Sequence, residues 1–306
     1  MGKESSQDQP FKERYTIQDL ENLCGIQAHT IRIWEKRYDL LCPLRAGNNV
    51  RYYSHKDLQK ILNVAALYHH GYKISRIAAM NENELLEAVR KESINDTTGD
   101  YALHHLKLAM LTFDEPLFNQ IVQQLLSQKS FREVFSSVFL PLLIETGLMW
   151  QTDTITVAQE HFLSNLLRHK IMNQIGLLNA IPPSSSKKVY VLFLPSGEVH
   201  ELGLLYSYYE LILHGRRTIY LGQSVPMESL TDLRHYFPQI VFITSFTIQP
   251  QEENLKTYLA ELAGTILRKG KDEVWISGRK IQSPHSRPKI QGVQYILKPE
   301  DLLKKL

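Results

Sequence analysis

The sequence predicts a multidomain protein that is α-helical up to about residue 180 and α/β beyond it. Three observations carry this. Up to Ala180, apolar residues recur at helical spacing between capping signals. From Lys188 the pattern changes to short β-branched runs separated by helical stretches. The basic charge is concentrated at one end: Phe11 to Met80 holds 11 Lys/Arg against 6 Asp/Glu, whereas the whole chain is only +3. A basic head on a neutral body points to a polyanion held by one end.

At 306 residues, 43% hydrophobic and 22% charged, the chain has the composition of an ordinary globular protein with room for two or three cores. No apolar run is expected to reach bilayer-spanning length, and residues 1–13 read as a polar, disordered arm without a signal-peptide core. Cys24 and Cys42 have no paired spacing, which argues against a disulfide framework or a cysteine zinc site and suits a reducing cytoplasm.

The head is expected over residues 14–84. Thr16 to Asp19 forms a capping box that starts a helix through Leu20 and Leu23, which stops at Cys24-Gly25. A second helix follows from Gln27 to Arg37, so two short helices joined by a glycine turn give a helix-turn-helix. Arg45 to Tyr53, with Gly47-Asn48-Asn49 as its turn, reads as a β-hairpin wing. Ser54 and Asp57 cap a further helix that ends at His70-Gly71. Thr30 to Tyr38 and Arg51 to Ser54 resemble the second helix and the wing of the MerR family of winged-helix regulators. The resemblance implies that His29, Thr30, Arg32, Arg37, Arg51 and Tyr52 contact a double-stranded DNA operator. Trp34 reads as core instead.

Residues 85–100 are expected to be a linker, with its clearest signal at Asn95 to Asp100. A four-helix bundle is expected over 101–181, with helix starts at Asp114-Glu115-Pro116, Ser130 and Thr156. Trp150 falls at a helix end and Glu160-His161 in the first turn of the last helix, where the dipole favours a carboxylate. By spacing alone these would be a core residue, a helix-start charge and a surface imidazole. Gly147 to Trp150 followed by Glu160-His161 and Ser164 resembles the helical cap of cobalamin-dependent regulators of the CarH/CarA group. That resemblance implies that Trp150, Glu160 and His161 cover a corrin from above. Where some light-responsive members carry histidine after the tryptophan, this chain has Gln151.

Residues 187–306 are expected to form the α/β domain. Five runs, beginning at Val189, Thr218, Ile240, Val274 and Val293, alternate for the most part with helical stretches. This predicts a flavodoxin-like, five-stranded parallel sheet with ligands at the strand carboxyl ends. The loop after the first strand carries Glu198-Val199-His200-Glu201-Leu202-Gly203. An imidazole there suits a borderline metal, provided that a carboxylate fixes its other nitrogen, and either Glu198 or Glu201 could do so. Gly203 would let a flat ring approach the helix start. The segment resembles the cobalamin-binding Asp-x-His-x-x-Gly signature, with glutamate as its acid. The resemblance makes His200 the lower axial cobalt ligand and Gly222, Ser245, Thr247 and Gly278 the border of a nucleotide-tail pocket. Ser277-Gly278 stands where a Gly-Gly pair is usual. His69-His70 and His104-His105 lack metal spacing and read as surface or interface.

Taken whole, the chain resembles the CarH/CarA group of MerR-type regulators. This implies a non-enzymatic repressor, a homo-oligomer (dimer or tetramer) controlled by adenosylcobalamin, with light as an input and no membrane. Two other readings remain: a regulator that has lost cobalamin and answers to a protein partner, and a corrinoid-carrying enzyme module.

Overall fold

The computed structural model describes residues 14–45, 50–95, 99–178, 187–251 and 255–306. The arm at 1–13, the hairpin turn Gly47 to Asn49 and residues 96–98 of the linker lie outside them. The chain divides into two compact units, one up to Leu166 and one from Leu167.

In the first unit, α1 (Ile17–Cys24) starts at the capping box on Thr16 and stops at Gly25, whose φ of 71° is easy only for glycine. α2 (Ala28–Tyr38) follows. The wing is the short antiparallel pair β1 (Leu44–Arg45) and β2 (Arg51–Tyr52). α3 (His55–His69) begins at a second capping box on Ser54 and supplies Leu58, Ile61 and Leu62 to the head's core. Trp34 is buried there, edge-on to Tyr68 at 5.0 Å.

Beyond α4 (Ile74–Ala78), α5 (Glu82–Asn95) corrects the expected linker. Residues 85–95 continue a helix whose Leu85 and Val89 are buried, because it packs back on α3. α6 (Asp100–Thr112) lies against both α3 and α9 (Leu140–Gln151), so apolar surface surrounds most of it. That corrects a second expectation: His104 and His105 are each only 8% exposed, with the His105 ring stacked on Tyr101.

α7 (Glu115–Gln128) is capped by Asp114 with Pro116 in its first turn. α8 (Phe131–Val134) runs through a π-turn, Phe135–Phe139, into α9. The wide turn accommodates Pro141, which lacks an N–H, and the Ser136 and Ser137 hydroxyls donate to the loosened Glu133 carbonyl. The span Phe131–Gln151 is long and apolar enough to cross a membrane by composition, contrary to expectation. Here Phe131, Val134, Phe135, Val138, Phe139 and Leu142 pack into the bundle core instead. α10 (Val157–Leu178) completes the helical part and runs across the division between the units.

The second unit holds β3 (Lys188–Pro195), β4 (Thr218–Val225), β5 (Gln239–Ser245), β6 (Glu273–Ser277) and β7 (Val293–Tyr295). They form one parallel sheet in the order β4-β3-β5-β6-β7. Period-two alternation sends Val189, Val191 and Phe193 to the face covered by α13 (Leu255–Ile266). Tyr190, Leu192 and Leu194 go to the face covered by α11 (Leu202–Leu213) and α14 (Pro299–Leu303). The stretch expected as a helix over Met227–Phe237 is a 3-10 turn, Met227–Leu230, and one α turn, α12 (Leu233–Tyr236). The order reverses between β3 and β5, which makes their carboxyl ends the switch point of a doubly wound sheet.

Candidate DNA and cofactor sites

In the head, α2 buries Ile31 and Trp34 and leaves Arg32, Lys36 and Arg37 exposed, with His29 and Thr30 in its first turn. One residue that the sequence did not flag joins this helix to the wing. Glu35, nearly buried, accepts a 2.5 Å hydrogen bond from the Tyr53 hydroxyl and faces Arg51 Nε at 3.5 Å. Burial and the Glu35 carboxylate together push the Tyr53 phenol well above its ordinary range. An acid amid basic residues was its only sequence signal. Tyr15 and Tyr53 exchange backbone hydrogen bonds and fix the base of the wing. Arg51 therefore sits on an anchored wing, and Tyr52 follows it on β2.

In the bundle, Trp150 is 48% exposed at the end of α9, which rules out a core role in this structure. Glu160 accepts a hydrogen bond from the Ser164 hydroxyl at 2.6 Å and holds His161 Nδ1 at 3.0 Å.

The second unit resolves the alternative left open for His200. Its Nδ1 lies 2.6 Å from Glu198 Oε1, so Glu198 rather than Glu201 is its partner. The same oxygen accepts from the Val199 and His200 backbone N–H groups, and Oε2 accepts from those of Thr247, Ile248 and Gln249 at 2.7–3.0 Å. This fully buried carboxylate thus binds the loop after β3 to the loop after β5. Burial alone would raise its pKa. The hydrogen bonds from His200 and the backbone outweigh that and hold the carboxyl well below the usual carboxylate range.

Glu201 has another task. Buried at the start of α11, it accepts from Arg168 Nε at 2.5 Å and from the Tyr220 hydroxyl at 2.7 Å. It ties α10 and β4 to the His200 loop, a role hidden from the sequence because its partners lie 33 and 19 residues away.

The other expected positions gather at the strand ends. Ser245 pairs in register with Ser277, which precedes Gly278, and Gly222 (φ 83°) pairs with Phe193. The Ser277 hydroxyl lies 3.3 Å from the Thr244 carbonyl. At Gly278 a Cβ would meet the Phe246 carbonyl oxygen at 2.4 Å, so backbone packing alone requires this glycine. At Gly203 a Cβ would meet nothing within 4 Å. Exposed Val199, Leu221 and Ile248 add apolar surface on these loops and strand ends. A cleft of about 410 Å³ beside them is lined by Thr247, Ile248, Arg279, Lys280, Ser283 and Ser286.

Comparison with known proteins finds two family matches. Residues 15–84 match the MerR HTH family of regulatory proteins, and residues 102–173 match the B12 binding domain. The chain joins a MerR-type helix-turn-helix to a B12-binding domain. It is 28% identical over 280 residues to the HTH-type transcriptional repressor CarH of Myxococcus xanthus, covering 88% of this chain and 90% of that protein. It is 29% identical over 225 residues to the HTH-type transcriptional repressor CarA of the same organism, at 70% of each. Among solved structures, the monomethylamine corrinoid protein of Methanosarcina barkeri superposes with a TM-score of 0.55 at 13% identity. That likeness covers 65% of this chain and 94% of that one, and it supports the fold.

Proposed function

We propose that this chain is a cytoplasmic, DNA-binding transcriptional repressor whose assembly and operator affinity are set by adenosylcobalamin. The observation that carries the reading is the Glu198–His200 pair. The carboxylate fixes Nδ1, which makes Nε2 the nitrogen for cobalt, and Gly203 leaves room for a macrocycle. These residues fit a corrin. When bound, the group supplies a cobalt–carbon bond and a large flat surface, and the protein supplies its grip. His200 would hold the cobalt and Glu198 would orient its ring. Gly222, Ser245, Thr247 and Gly278 would border the nucleotide tail, and Trp150, Glu160 and His161 would supply the cap that the resemblance assigns to the bundle.

In this reading His29, Thr30, Arg32, Arg37, Arg51 and Tyr52 hold the operator. A homo-oligomer presents several heads together, so that modest single-head affinity is multiplied by effective concentration. The similarity to two repressors along most of the chain, with a MerR-type head, favours regulation over catalysis.

The test is absorption spectroscopy of the full chain after mixing with adenosylcobalamin and desalting. Retained colour is expected for the wild type and its loss for His200→Ala. Equal retention by the two would remove the assigned ligand. Size-exclusion profiles, with cofactor in the dark and after illumination, are expected to differ. A single unchanged profile would overturn both the assembly and the light input.

A further inference from the structure

Among the described residues of the helical unit, one lysine is buried, and it sits where the helix-turn-helix head meets the bundle. Lys107, on α6, is 5% exposed, and its Nζ donates to the Leu23 carbonyl at 3.2 Å and pairs with Glu145 of α9 at 2.8 Å. Leu23 is in the last turn of α1, where the helix dipole favours a cation. Glu145 is on the helix that ends at Trp150. A buried ammonium without its carboxylate is strongly unfavourable, so the head–bundle contact depends on where α9 places Glu145.

A second tie meets the same end of α1. Asn22 Nδ2 donates to Thr154 Oγ1 at 3.1 Å. Thr154 is 1% exposed and lies in the turn just after Trp150, held by its own N–H on the Met149 carbonyl and by a 2.8 Å hydroxyl contact with Thr152. Only three residues separate α1 from α2, the helix carrying Arg32 and Arg37. Residues on both sides of Trp150 are therefore tied to the helix that positions α2, Glu145 through Lys107 and Thr154 directly through Asn22.

We propose that Lys107 and Thr154 form a latch through which the position of the Trp150 turn is passed to the DNA-reading helix. They are positioning residues: neither is among the residues assigned to operator or cofactor. The latch itself is independent of what lies over Trp150, while its use as a cofactor relay rests on the proposed function.

Hydrogen–deuterium exchange of the full chain separates the two. Without cofactor, Lys107→Met and Thr154→Val are expected to speed exchange over residues 20–38 by about tenfold, the effect of one lost hydrogen bond. Amides of α7 stay unchanged, and Thr154→Ser, which keeps the hydroxyl, behaves as wild type. Rates over 20–38 equal to wild type in both variants would overturn the latch. With adenosylcobalamin, exchange over 20–38 shifts in the wild type, and this shift is lost in both variants although they retain the colour. A full shift persisting in both would overturn the relay. A wild type that retains no colour would sink the cofactor reading, and the cofactor-free comparison still decides the latch.

Discussion

Glu198→Gln tests a side chain of the proposed cofactor site that is bonded at every acceptor position. Its carboxylate accepts six hydrogen bonds with no solvent exposure, three on each oxygen. An amide can keep one trio and must present its own N–H₂ to the other, so three bonds are lost. At about 1.5 kcal/mol for a bond to a charged acceptor, the loss is about 4–5 kcal/mol. That is a large share of the roughly 5–15 kcal/mol available to a domain. Urea titration followed by far-UV circular dichroism should show the transition of residues 167–306 moving to lower denaturant. Glu198→Asp, shorter by about 1.5 Å, should retain the His200 contact and lose the bridge to Thr247–Gln249, giving an intermediate loss. The carboxyl is held below its ordinary value of 4.5. Its contribution is thus fully present above pH 4.5 and is lost as the pH falls through the lower folded value. A loss under about 1 kcal/mol for Gln, or none for Asp, would refute the bridging role.

Two further predictions concern single positions. Gly278→Ala places a Cβ 2.4 Å from the Phe246 carbonyl at a φ of 108° and should cost about 3–4 kcal/mol. Its melting temperature should fall by roughly 10 °C, whereas Gly203→Ala should stay within about 0.5 kcal/mol of wild type and lose cobalamin retention instead. His105 is held below its ordinary 6.5 by burial. Below pH 6.5 the unfolded chain takes up a proton that the folded chain refuses, so stability of the helical unit falls as the pH drops from 6.5 towards 5. Urea midpoints at pH 7.5 and 5.5 should differ less in His105→Phe than in the wild type, and equal differences would exclude this histidine as the cause.

Local chemistry made much of the fold legible. Thr16, Ser54, Asp114 and Ser130 each cap the helix that their spacing implied, because a cap is settled within four residues. Three of the β-runs, β3, β5 and β6, were readable because strands buried on both faces of a parallel sheet are apolar throughout, whereas the partly exposed β4 and β7 were read from their β-branched and aromatic residues. What escaped was long-range pairing. Lys107 meets Leu23 across 84 residues and Asn22 meets Thr154 across 132, and no local pattern encodes such partners. The histidines of α6 were misplaced for a related reason. A helix packed on several sides has no solvent face, so its periodicity reports nothing about which polar residues are inside.

Three histidines show why residue type alone does not mark a candidate metal ligand. The ring of His105 is buried, stacked on Tyr101 and bonded to the Tyr101 carbonyl, so it is fixed but closed to a ligand. His161 is 68% exposed beside Glu160, itself partly exposed, so it is open but weakly held. His200 combines both properties: Nδ1 is fixed on a fully buried carboxylate while 42% of the side chain stays exposed. That carboxylate is itself held by backbone from two loops at the point where the strand order reverses. The orientation of the ring is therefore set jointly by the motif, which holds one carboxylate oxygen, and by the β5 loop, which holds the other. A motif match without a β5 loop would keep the contacts on Oε1 but lose the three backbone bonds that fix Oε2, leaving the acid that aims the histidine held on one side only.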